Sequence, residues 1–169
     1  MNALLSRRRL ILVGMATAVA GGIGGLAWLR PAAAGFRVLS AGEAALVEAL
    51  AATFFPAGRF PVSGGDGGTA PGVDALLAET LDPSTTPAFR YLLRALDVAT
   101  FATHGRTFTA LDAHERFEVL DVWSGPDPLP RRLAADGLRV LVGMAFLRRP
   151  QVLQHIGWQV GCAAGGGAP

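Results

Sequence analysis

The chain contains no lysine, a single cysteine and a single tyrosine among 169 residues. One cysteine excludes an internal disulfide framework and a cysteine-rich zinc site, and c-type haem attachment needs two thiols and a histidine in C-x-x-C-H. Haem and iron–sulfur chemistry therefore do not belong to this chain. The glycine-rich run Ser63 to Gly68 lacks the lysine of a phosphate loop and the preceding strand of a dinucleotide fold, so it reads as a flexible linker. Acidic residues are missing from the first 34 positions: all 13 follow Ala34, whereas four of the 15 arginines (Arg7, Arg8, Arg9, Arg30) precede it. The remainder has 11 arginines against 13 acids, a net of −2, so the overall +2 is a property of the leader. The basic footprint that nucleic-acid binding requires is absent from the domain, and no nucleic-acid partner is expected.

Hydrophobic residues make up 51% of the chain, and much of that excess is the uncharged run Leu10 to Leu29. Residues 1–34 show a basic start, this apolar stretch and the small residues Ala32, Ala33 and Ala34 before Gly35, which is the layout of an export signal cleaved after Ala34. Ser6, Arg7, Arg8, Leu10 and Ile11 match the twin-arginine pattern, and glycines at 14, 21, 22, 24 and 25 dilute the apolar run as such leaders require. An uncleaved anchor is the other reading, because a helix of that length reaches the ~30 Å of a bilayer core. Both place the domain in the periplasm or on the periplasmic face of the inner membrane. The expected organisation is a leader or anchor over 1–34, one helical domain over 35–160 and a disordered Gly/Ala tail over 161–169.

Beyond the leader no segment alternates as a strand does, and the fold class is all-α, with about five to six helices. Ser40 to Glu43 reads as a capping box opening a helix through Leu46, Val47, Leu50 and Phe54 to Pro56. Pro56 to Gly72 holds six glycines and three prolines in 17 residues and reads as an exposed loop. A short helix is expected over Val73–Leu81. Thr86-Pro87 should cap and start the next, with Phe89, Leu92, Leu93, Leu96 and Ala99 inward and Arg90, Arg94 and Asp97 opposite, ending at Gly105. Asp112 with Glu115 should cap a helix through Phe117, Leu120 and Trp123 to Gly125-Pro126. The helix expected from Pro130 to Arg149 has no wholly polar side, which marks it as the core element, buried by other helices or by a partner. A final turn over Val152–Ile156 ends at Gly157-Trp158.

Residues able to do chemistry are present, but none forms a catalytic constellation. His104 precedes a glycine at a helix end, where a histidine complements the helix dipole. His114 falls in a first turn beside acids, and His155 falls near Trp158, where it suits packing or an interface. The three histidines lack HxxxH or HxxE spacing, so no metal site is expected. Glu115, Glu118 and Asp121 recur every three residues, as a solvated face does. Arg131-Arg132 and Arg148-Arg149 bracket the most apolar helix and face either water or the acids of a partner. Cys162, in the tail, is free to pair with another chain or to remain a lone thiol.

Three segments resemble the gluconate 2-dehydrogenase subunit 3 family. Leu50 to Pro56 (LAATFFP) is similar to its early helix with an Ile/Phe-Phe-Pro stop. Phe108 to Trp123 resembles its Phe-x-x-Leu, Arg, Leu pattern through Phe108, Leu111, Arg116 and Leu120. Gly143 to Trp158 resembles its ending through Gly143, Phe146, Pro150, Val152, Ile156, Gly157 and Trp158. The resemblance implies a non-catalytic small subunit with no catalytic, cofactor or metal residues of its own. Such a subunit binds a glucose-methanol-choline type flavoprotein that holds FAD, and it escorts that partner, folded, through the twin-arginine translocase. A cytochrome c subunit carrying haem c would accept the electrons, and the leader or the complex would hold the assembly at the membrane. The candidate contact residues are Phe54, Phe55, Pro56, Trp123, Arg148, Arg149, Trp158 and Cys162, since aromatic and Arg side chains are favoured at interface centres. The alternative function is an exported or anchored helical binding module without an oxidoreductase partner.

Overall fold

A computed structural model describes residues 30–82, 84–126 and 129–158. The export-signal residues Ser6, Arg7, Arg8, Leu10 and Ile11, as well as Cys162 and the tail, lie outside the described residues. The described residues from Ala32 to Trp158 form one compact unit, helical and without strands. Its helices are α1 (Ala41–Phe54), α2 (Thr69–Ala75), α3 (Thr85–His104), α4 (Ala113–Ser124), α5 (Leu129–Leu147) and α6 (Pro150–His155). A π-turn, Leu76–Thr80, extends α2, and a 3₁₀ turn, Phe108–Ala110, precedes α4.

Helix α5 is the central element, touching α1, α2, α3, α4 and α6. Its inward arc of Ala135, Leu138, Val142 and Phe146 is fully or almost fully buried. The core continues through Val47 and Leu50 of α1, Leu93 and Leu96 of α3, Phe108, and Leu120 of α4. These residues recur three or four apart on each helix, so one face of each is removed from water and the opposite face stays wet.

Carboxylates do much of the joining. Ser40 and Glu43 form the expected capping box: Ser40 N–H and Oγ–H donate to Glu43 Oε2 at 2.8 and 2.7 Å. Glu43 is only 2% exposed and also receives Arg90, whose Nε lies 3.1 Å from both carboxylate oxygens, with Arg94 Nε at 3.7 Å. One carboxylate therefore caps α1 and ties it to α3. Arg90 does not face solvent opposite the apolar stripe as expected; it turns inward because the buried charge of Glu43 needs a partner. Burial raises the Glu43 pKa, but the Arg90 hydrogen bond, the Ser40 N–H and Oγ–H and the Arg90 charge outweigh it and hold it below the ordinary 4.5.

Asp74 plays a similar part on α2, accepting from the backbone N–H groups of Arg37, Val38 and Leu39 at 2.8–2.9 Å. It pins the extended segment that enters α1. The N-terminus of α2 has no side-chain cap from its own flank, and Glu48 of α1 supplies one by accepting from Gly67 N–H at 3.1 Å and Ala70 N–H at 2.6 Å.

Several boundaries differ from expectation. Helix α2 begins at Thr69, inside the stretch read as loop, because Glu48 satisfies its first turn and Pro71 is tolerated there. Helix α3 starts at Thr85, with Pro87 in its first turn, and Thr86 Oγ1 donates to Leu77 O instead of capping. Its glycine stop is as expected: Gly105 adopts φ +67° and donates to Phe101 O. The Asp112–Glu115 capping box on α4 is also as expected, whereas Phe117 points outward and Val119 takes the buried position. The loop after Pro56 is not a free linker. Gly64 is buried, its N–H donates to Phe55 O at 2.9 Å, and a Cβ there would sit 2.0 Å from Ala51 O. Thr69 Oγ1 bonds Gly64 O at 2.7 Å from the other side.

Stability measurements test this scaffold. Glu43→Ala, which strands the half-buried arginines, should lower the urea-unfolding free energy by about 3–5 kcal/mol. In the unaltered chain the Glu43 contribution is complete above pH 4.5 and is lost as pH falls through its lower folded value, so Glu43→Gln should flatten that acid limb. Gly64→Ala should cost about 3 kcal/mol by overpacking against the α1 backbone, while Gly42→Ala, with open space around it, should not destabilise.

Candidate functional site

The sequence-derived contact residues fall into two groups. Phe54 and Phe55 end α1, Arg148 and Arg149 follow α5, and the structure brings these ends together around an aromatic cluster. Phe55 stacks on Phe146 with ring centroids 4.2 Å apart and an interplanar angle of 12°. Phe60, from the glycine-rich loop, meets Phe146 edge-on at 5.3 Å and Phe55 at 6.1 Å. Phe54 adds an edge contact to Phe55, and Arg139 lies 5.4 Å above the Phe54 ring. The His155 ring stands 6.1 Å from Phe60, a packing role. Pro56 and Arg148 are exposed beside the cluster.

Arg149 is occupied within the chain. Its Nη1 and Nη2 donate to Asp66 Oδ1 and Oδ2 at 2.6 and 2.7 Å, and Nη1 also reaches Ser63 O at 3.2 Å. This two-toothed pairing closes the loop over the end of α5. The arginine hydrogen bond draws the Asp66 pKa below its ordinary value, and the carboxylate raises that of Arg149. Gly68 permits the approach, since a Cβ there would lie 2.7 Å from Arg149 Nη2. Sequence reasoning missed Phe60, Asp66 and Gly68 because their partners are more than 80 residues away in the chain or on another helix end; only Asp66 inside an otherwise uncharged glycine run hints at a tether.

Two other candidates stand apart. Trp123 is 7% exposed and packs the core from α4, while Trp158, at 65%, lies on the surface after α6. Gly157 turns the chain there at φ +70°, and Trp158 N–H returns to Leu153 O at 2.9 Å. Ala32 and Ala34, the expected cleavage residues, are exposed.

A concavity of about 610 Å³ opens between the end of α3, α4 and the start of α5, and Thr100, His104, His114, Phe117, Trp123 and Arg131 are among its walls. His114 pairs with Glu118 at 3.4 Å and His104 Nδ1 lies 2.8 Å from Thr103 Oγ1, so both histidines have surface partners. Among the described residues no three His, Cys, Asp or Glu side chains are grouped to hold a metal, and no helix is long and apolar enough to cross a membrane. The walls are mainly apolar, and the arrangement suits contact more than proton transfer.

The loop tether generates a direct test. Asp66→Asn should speed tryptic cleavage after Arg59 about fivefold, the population shift that ~1 kcal/mol of a partly exposed ion pair allows, with peptide mapping as the readout.

Comparison with known proteins adds one positive finding. The model of the family described as Gluconate 2-dehydrogenase subunit 3 matches residues 41–144. The match runs from the first residue of α1 into the last turn of α5, so it contains the Leu50–Pro56 and Phe108–Trp123 segments and takes in the first two residues of the third, Gly143–Trp158. No curated protein matches the chain, and no solved structure matches it. The match takes in more than half of the sequence and most of the helical unit that α5 organises, and the chain belongs to the gluconate 2-dehydrogenase subunit 3 family.

Proposed function

We propose that this chain is the non-catalytic small subunit of an exported, membrane-associated, flavin-dependent dehydrogenase complex. It binds a glucose-methanol-choline type catalytic subunit holding FAD and escorts it, already folded, through the twin-arginine translocase to the periplasm or the periplasmic face of the inner membrane. A cytochrome c subunit with haem c accepts the electrons. The observation that carries this reading is the family match over 41–144, which ties the helical unit to a dehydrogenase subunit.

Other features support it. Ser6-Arg7-Arg8-Arg9-Leu10-Ile11 fits the signal for folded export, a route suited to cargo that acquires its cofactor in the cytoplasm. The unit also leaves large apolar side chains outside: Phe101, Phe117, Leu133, Val140 and Trp158 are each at least 60% exposed. A domain of this size with so many exposed apolar groups is built for contact with another protein. The chemistry of hydride removal would belong to the flavin of the partner, and this chain would contribute surface and address.

Export is the discriminating measurement. Arg7→Lys with Arg8→Lys should retain both this chain and the flavoprotein inside the cell, read by flavin absorbance and dehydrogenase activity in periplasmic and cytoplasmic fractions. Periplasmic flavoprotein at unchanged level in that double variant removes the escort role.

A further inference from the structure

The boundary expected between leader and domain falls inside a folded turn. Phe36 N–H donates to Ala33 O at 3.0 Å and Ala33 N–H donates to Leu39 O at 2.9 Å, so both backbone polar groups of Ala33 are engaged. Gly35 takes φ +85°, a left-handed value that glycine adopts without strain. The bond from Ala34 to Gly35 is therefore the central peptide of a β-turn. No slack chain follows it. Phe36 and Val38 pack against the core, and Leu39 is fully buried. Asp74, itself 5% exposed, holds the N–H groups of Arg37, Val38 and Leu39, and the Arg37 side chain pairs with Glu79.

This geometry bears on cleavage, because a peptidase takes its substrate as an extended strand and hydrogen-bonds the backbone. Three extended residues span ~10 Å, whereas a β-turn keeps its first and fourth residues, here Ala33 and Phe36, within ~7 Å. The side chains of Ala32 and Ala34 are small and exposed, as a signal peptidase requires. The backbone between them is not available. Binding it as a strand breaks both Ala33 hydrogen bonds and draws Phe36 off the core. A chain exported unfolded would meet the peptidase before the turn exists; a chain carried across folded meets it afterwards.

We propose that the folded domain protects its own processing site. The turn over Ala33–Phe36 shields the Ala34–Gly35 bond from signal peptidase, the leader is retained, and its uncharged run Leu10 to Leu29 tethers the subunit to the periplasmic face of the membrane. The proposal rests on the folded-export reading given above. Of the two fates that the composition of the leader leaves open, cleavage and anchoring, the turn favours anchoring.

The test uses the full chain, tagged at its C-terminus and co-produced with the flavoprotein. Intact mass and alkaline-carbonate extraction of membranes report the leader, and protease accessibility of the tag in spheroplasts reports export. A second version carries a ten-residue Gly/Ser insert between Ala34 and Gly35, which opens the turn without changing any residue of the domain. The parent chain should keep residues 1–34 and stay with the membrane. The insert version should be cut after Ala34 and released, about tenfold faster in pulse–chase, the population shift that one or two hydrogen bonds allow. An exported parent chain that begins at Gly35 overturns the protection and leaves the export reading intact. Retention of the leader by both versions also overturns it, because the turn is then not what prevents cleavage. A tag inaccessible in both versions overturns the export reading and the proposal with it.

Discussion

The constraint on which the rest of the structure depends is that α5 must be surrounded. A helix with apolar side chains on both sides is stable in water only when neighbours cover most of it, and in this chain five other helices supply cover for one side alone. The other helices are placed by that requirement. Helix α2 lies close enough for Gly72 to face Ala145, α3 approaches at Gly137 through Leu92, and Phe55 of α1 stacks on Phe146. What remains among the described residues is the outward side of α5, where Leu129, Leu133 and Val140 stay exposed.

A small helical unit has few backbone ladders running between its elements, so buried or half-buried carboxylates act as joints. Glu43 binds α1 to α3, Asp74 binds the entering segment to α2, and Glu48 caps α2 from α1. Each satisfies donors that would otherwise be stranded at a helix end or in the entering segment, where an unpaired N–H is costly. The Asp66–Arg149 pair does the same for the glycine-rich loop. The result is a loop with little apolar content that is nevertheless held, because Gly64 and Gly68 let backbone and guanidinium approach where a side chain would collide.

Local signals were readable where the cause is local. The two capping boxes, the Gly105 stop and the broad apolar character of α5 depend on residues within four positions of one another, and their physics needs no tertiary partner. The start of α2 was not readable, because its cap comes from Glu48, 22 residues earlier in the chain than Ala70. The inward turn of Arg90 was hidden for the same reason. Of the candidate contact residues, Phe54, Phe55 and Arg149 do come together, but Phe55 and Arg149 are engaged in holding the domain, and Trp123 is core. Periodicity separates apolar from polar faces; it does not say which apolar face another part of the chain will cover.

The sequence by itself determined the helical class, the caps and stops of most helices, the charge difference between the first 34 residues and the rest, and the family resemblance, since these follow from composition, spacing and short-range hydrogen bonding. Only the tertiary structure decided which apolar residues are interior and which are presented. Burial is a property of what packs against a side chain, and α5, apolar nearly all round, has its inner and outer faces distinguished by five neighbouring helices and not by its own residues.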